Sequence, residues 1–104
     1  MSATTLADTG TYLSFRLGNE DFAAEIAKVK EVLEYPVITK VPRMPGYVCG
    51  VTNLRGSVVP VVDMRLKFGM SEIERTVDTC VIILEVSMGE ETLTIGCLVD
   101  SVRE

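Results

Sequence analysis

The chain has 104 residues, with 10 Lys plus Arg against 15 Asp plus Glu, no histidine, and a formal net charge of −5. This acidic balance, with the basic residues scattered along the chain, excludes a nucleic-acid surface and disfavours an anionic membrane, since either needs clustered cations. Hydrophobic residues at 47% and charged residues at 24% are ordinary for one globular domain, and the dominance of Val, Ile and Leu with no tryptophan leans toward strands.

Residues 1–10, "MSATTLADTG", are small and polar and read as a flexible lead-in. They lack the basic and apolar regions of a secretory signal, and no later apolar run approaches the ~20 residues that span a bilayer, so the expectation is a soluble cytoplasmic protein without direct membrane insertion. Tyr12, Ser14 and Arg16 alternate with Leu13, Phe15 and Leu17, the period of a half-buried strand. Gly18 to Asp21 supplies turn chemistry, and Phe22 to Ile26 returns as a second strand. From Ala27 the spacing of Ile26, Val29, Val32 and Leu33 predicts a short amphipathic helix, stopped near Pro36. Pro42 and Pro45-Gly46 mark an irregular crossing.

Tyr47 to Leu54 and Ser57 to Met64 are β-rich runs joined by Arg55-Gly56, a two-residue connection whose glycine accepts positive φ. Within the second run, Pro60 points to an edge or bulge, where a ladder donor is spared. "RLKFG" reads as a single helical turn and Met70 to Asp78 as a loop. Thr79 to Val86 and Leu93 to Val99 are the last strands, connected through "SMGEE".

Chemistry is sparse. Without histidine, Ser57 and Cys49 have no usual base to activate them. Cys49, Cys80 and Cys97 are odd in number and widely spaced, indicating neither a zinc site nor a disulfide framework, and read as small buried hydrophobes. Asp63, Asp78 and Asp100 lie at strand ends, where aspartates more often bond turn amides than hold metal. No phosphate-cradling glycine motif is present, so neither cofactor nor metal is expected. What remains is surface chemistry: Arg55 at a hairpin tip is either a solvated turn residue or a planar cation that pairs with a carboxylate such as Glu31 to shape a recognition face. A binding module is favoured over an enzyme.

The string "GVTNLRGSVVPVVDMRLKFG" at residues 50–69, with "YLSFRLGNEDFAAEIAKVKEV" before it and "TCVIILEV" and "TIGCLVDSV" after it, resembles the CheW-like chemotaxis adaptor family over about residues 12–102. The resemblance implies a mainly β fold, a pair of small SH3-like five-stranded β-barrels with one short helix and a groove between them. It implies a non-enzymatic adaptor linking the cytoplasmic tips of chemoreceptors (methyl-accepting chemotaxis proteins) to the regulatory domain of the histidine kinase CheA, within polar arrays at the inner face of the membrane. The alternative is a CheW-like regulatory segment of a larger signalling protein, either CheA itself or a CheV-like fusion.

Carried over by motif, Glu31 and Arg55 are the expected pair, with Val29, Val32, Gly50 and Leu54 around them at the receptor-binding surface. Val81 and Leu93 mark strand edges expected to meet the kinase. Residues 11–104 are taken as the N-terminal two thirds of such a domain, with the later strands that close the first barrel missing. Exposed strand edges then predict a homo-oligomer or a domain-swapped assembly.

Overall fold

The computed structural model describes residues 11–103, so the lead-in expected over residues 1–10 lies outside the described residues. Strand β1 (Tyr12–Leu17) shows the period-two burial expected of it: Leu13, Phe15 and Leu17 point inward and the residues between them do not. It turns through Gly18-Asn19 into β2 (Glu20–Glu25), pairing antiparallel from Leu17↔Glu20 to Tyr12↔Glu25.

The segment expected to be an amphipathic helix is different. A single 3-10 turn (Ile26–Lys28) leads into strand β3 (Val29–Glu34), in which half-buried Val29, Glu31 and Leu33 alternate with exposed Lys30, Val32 and Glu34. An isolated two-turn helix is marginal, whereas β3 gains a ladder with β6 from Glu31↔Ile83 to Glu34↔Cys80. Tertiary pairing outweighs a pattern that fitted either period.

Strands β4 (Val48–Leu54) and β5 (Ser57–Asp63) form the expected hairpin. The expected helical turn is α1 (Met64–Lys67), capped by Asp63, whose Oδ1 accepts the Leu66 N–H at 3.1 Å while Oδ2 accepts the Ile73 N–H at 3.1 Å. Strands β6 (Cys80–Met88) and β7 (Glu91–Val99) form a long hairpin across Gly89-Glu90, and a short strand that sequence reading missed, β8 (Ser101–Arg103), returns to β1.

The strands make two sheets, of order β2-β1-β8 and β3-β6-β7-β5-β4. All neighbours are antiparallel except β5 and β7, which run parallel through Val61↔Gly96, Val62↔Cys97 and Asp63↔Leu98. One core joins the sheets: Leu13, Phe15 and Leu17 from the first pack with Val59, Val61, Val81, Ile82, Ile83, Leu98 and Val99 from the second.

The chain passes between sheets at Asp100. Its carboxylate accepts the Gly18 N–H at 2.5 Å and the Arg65 Nε–H at 2.9 Å, with Arg65 Nη2 at 2.8 Å, while its own N–H donates to the Arg16 carbonyl at 3.0 Å. Charge-assisted bonds of this kind are the stronger ones. Asp63 and Asp100 thus both accept from backbone amides.

Candidate functional site

The β4–β5 hairpin places Arg55. Leu54 pairs with Ser57, leaving Arg55 (φ 51°) and Gly56 (φ 87°) as a two-residue connection with both residues left-handed. That is the type I′ arrangement, whose twist suits a hairpin and whose first position prefers Asn, Asp or Gly. Asn53 Oδ1 accepts the Gly56 N–H at 2.9 Å and tightens the turn. An arginine held at positive φ costs about 1 kcal/mol, so its side chain has to offset the conformation.

The offsetting contact is Arg55 Nη2 to Glu31 Oε2 at 2.7 Å. β3 and β4 are the two edge strands of the five-stranded sheet, and the ion pair joins the hairpin tip beyond β4 to the middle of β3. The Arg55 side chain is 74% exposed and that of Glu31 only 24% exposed, so the carboxylate is held against the protein while the guanidinium stands in solvent. With one nitrogen engaged, the arginine keeps donors for a partner.

The remaining expected residues separate. Val32 is exposed beside Glu31, whereas Val29 is half-buried against the core, so the two do not share the face that a helix would have given them. Gly50 is buried at φ 150°, and a Cβ there would lie 2.2 Å from the Thr39 carbonyl oxygen. The close approach that Gly50 permits is therefore made by the chain itself, through the paired Thr39–Val51 backbone bonds of 2.8 Å each. Val81 is fully buried on β6, a strand paired on both sides, so its expected role at an exposed edge is corrected to core packing.

Leu54 and Leu93, assigned from sequence to different partners, line one open groove of about 520 Å³ together with Lys30, Arg55, Val58, Val59, Pro60, Thr92 and Ile95. Its lining includes the apolar side chains of Val58, 67% exposed, and Leu93, 41% exposed. Sequence reading missed Lys30, Val58 and Thr92, because the parallel approach of β7 to β5 has no local signature. Pro60 was the available signal.

All three thiols are shifted away from the thiolate. Burial, reinforced by Asp63 and Glu72, pushes Cys49 up to about 11, and burial alone pushes Cys97 up to about 11. Cys80 is also raised, by burial and then by Asp78. Reactive cysteines show the opposite shift. Among the described residues no group of three or more His, Cys, Asp or Glu is placed to hold a metal ion, and no helix is long and apolar enough to cross a membrane.

These features define a small β domain of two packed sheets whose distinctive surface is an ion-paired lip beside a groove. The chain belongs to the CheW-like domain family, whose model matches residues 11–104. It is 38% identical over 93 residues to the chemotaxis protein CheW of Klebsiella aerogenes, covering 89% of this chain and 54% of that protein. It is 37% identical over 92 residues to the chemotaxis protein CheW of Rhizobium meliloti, covering 88% and 57%. The crystal structure of the scaffolding protein TtCheW from Thermoanaerobacter tengcongensis superposes with a TM-score of 0.80 at 34% identity, over 89% of this chain and 61% of that one. The chain spans about half the length of these curated relatives. The mainly β, paired SH3-like barrel fold expected from sequence is the fold shared with that structure.

Proposed function

We propose that the chain acts as a non-enzymatic chemotaxis adaptor, cytoplasmic and array-associated, contacting chemoreceptor cytoplasmic tips on one surface and the regulatory domain of the histidine kinase CheA on another. Family membership supports the coupling role. The observation that carries the site is the Glu31–Arg55 pair at 2.7 Å, with Val32 exposed beside it. In this reading the pair and Val32 meet a receptor helix, the aliphatic side chain supplying apolar contact and Arg55 its free donors. Leu54, next to Arg55 at the end of β4, goes with the receptor contact, and Leu93, on the neighbouring groove, with the second contact. Receptor state is transmitted only if the adaptor's affinity differs between receptor or kinase conformations.

The test is retention of the chain on an immobilised receptor cytoplasmic fragment and, separately, on the kinase regulatory domain. Binding to both, with Glu31→Ala and Arg55→Ala each weakening receptor retention, supports the proposal. Binding to neither partner, or receptor binding indifferent to both substitutions, overturns it.

A further inference from the structure

Pro60 explains why the groove exists. In an antiparallel hairpin with a two-residue turn, residue pairs alternate between hydrogen-bonded and non-hydrogen-bonded, starting with the bonded pair that flanks the turn. From Leu54↔Ser57 this puts Asn53↔Val58 and Val51↔Pro60 in non-bonded positions, so the backbone groups of Val58 and Pro60 face away from β4. From Met88↔Glu91 the same count turns the backbone groups of Thr92, Thr94 and Gly96 away from β6.

Both sets face the space between β5 and β7. The two strands pair there only at Val61 to Asp63 with Gly96 to Leu98. One residue before that ladder stands Pro60, which has no N–H to extend it. Ser57 to Pro60 and Thr92 to Ile95 then line the groove without a strand between them. The Pro60 carbonyl still accepts from Gly96 at the start of the ladder, but the main-chain groups of Val58, Thr92 and Thr94 lie beyond it along two facing edges, a ready template for another strand.

The charge of this slot is distinctive. In a chain of net charge −5, its lining residues include two cations, Lys30 and Arg55, and no carboxylate. Arg55 is paired outside the groove with Glu31, and Lys30 lies 4.0 Å from Glu85, the limit of contact between two half-exposed side chains. We infer that the slot between β5 and β7 receives an extended segment of a partner protein, added as a β-strand, with carboxylates spaced to meet Lys30 and Arg55 and small apolar side chains against Val58 and Leu93. Main-chain bonds give such a strand its affinity and the alternating side chains its specificity. Arg55 and Leu93 are shared with the contacts proposed above and Lys30, Val58 and Thr92 are not, so loss of peptide binding in Lys30→Glu beside unchanged receptor retention separates this inference from that reading.

The test uses the full chain, labelled with 15N, and a capped peptide of sequence Thr-Glu-Val-Glu-Val-Glu-Thr. The expected result is shifts of the Val58, Thr92 and Thr94 amides on titration, and about tenfold slower hydrogen exchange at those amides. Replacing the peptide's glutamates by lysine, or introducing Lys30→Glu in the protein, weakens binding about tenfold or more. N-methylation of alternate peptide amides abolishes binding without altering the protein, which removes any ambiguity over folding of a variant. No binding at millimolar peptide, shifts confined to other residues, or affinity indifferent to charge and to methylation each overturns the inference. So does the appearance of the same shifts on raising protein concentration without peptide, which would make a second copy the occupant.

Discussion

Arg55 allows the turn and the ion pair to be separated by substitution. Arg55→Ala removes the contact with Glu31 at 2.7 Å but leaves a side chain at φ 51°. With the arginine 74% exposed, solvent screens the pair, and its loss costs about 0.5–1 kcal/mol and not the larger amount of a desolvated pair. Arg55→Gly loses the same contact but relieves about 1 kcal/mol of left-handed strain. Its net effect on stability is therefore within about 0.5 kcal/mol of zero. Urea unfolding at constant slope reads the difference as a midpoint ordering, with Arg55→Gly above Arg55→Ala. Adding Glu31→Ala completes a cycle whose coupling of about 0.5–1 kcal/mol shrinks in 1 M salt. If Arg55→Gly is as destabilising as Arg55→Ala, the turn does not strain its arginine. Strict additivity with Glu31→Ala would mean that the pair contributes nothing in solution.

Gly50→Ala forces a Cβ against the Thr39 carbonyl at a φ unsuited to alanine, and should cost about 2–4 kcal/mol, read as a lower urea midpoint with faster exchange of the Thr39 and Val51 amides. Val29→Ala should lower stability by about 1 kcal/mol, while Val32→Ala stays within about 0.5 kcal/mol of the parent and instead weakens receptor-fragment binding. With Cys49 and Cys97 raised to about 11, their thiolate fraction at pH 8 is roughly two hundredfold below that of a free cysteine, and with the greater nucleophilicity of a high-pKa thiolate offsetting about tenfold of this, aromatic disulfide reagents should label them more than about tenfold more slowly, with the rate still climbing toward pH 10. A burst of fast labelling in the native state would contradict their burial. Size-exclusion chromatography with light scattering tests association through the unpaired outer edges of β2 and β8: an assembly larger than one chain is expected, and a well-folded monomer refutes it.

How much was legible depended on whether the determinant was local. Alternation in β1 and the Arg55-Gly56 turn are encoded within a few residues and emerged where the sequence placed them, and Asp63 bonds backbone amides as a strand-end aspartate was expected to. The error at Val29 to Glu34 arose because Val29, Val32 and Leu33 satisfy a helical spacing as well as a strand's, and only pairing with β6, some fifty residues away, decides between them. The surroundings of Gly50 and Val81 were hidden for the same reason: the segment that fills the space beside Gly50 is Thr39, and the strands that bury Val81 are β3 and β7. Reading β3 as a strand also changes the site itself. On a helix, Val29 and Val32 would share one apolar face with Glu31 turned away from Val29. On an edge strand, Glu31 instead anchors Arg55 across the sheet while Val32 faces outward alone. The proposed recognition feature is then a narrow lip whose shape depends on one ion pair and a left-handed arginine, so small changes at the β4–β5 turn can alter it without disturbing the core.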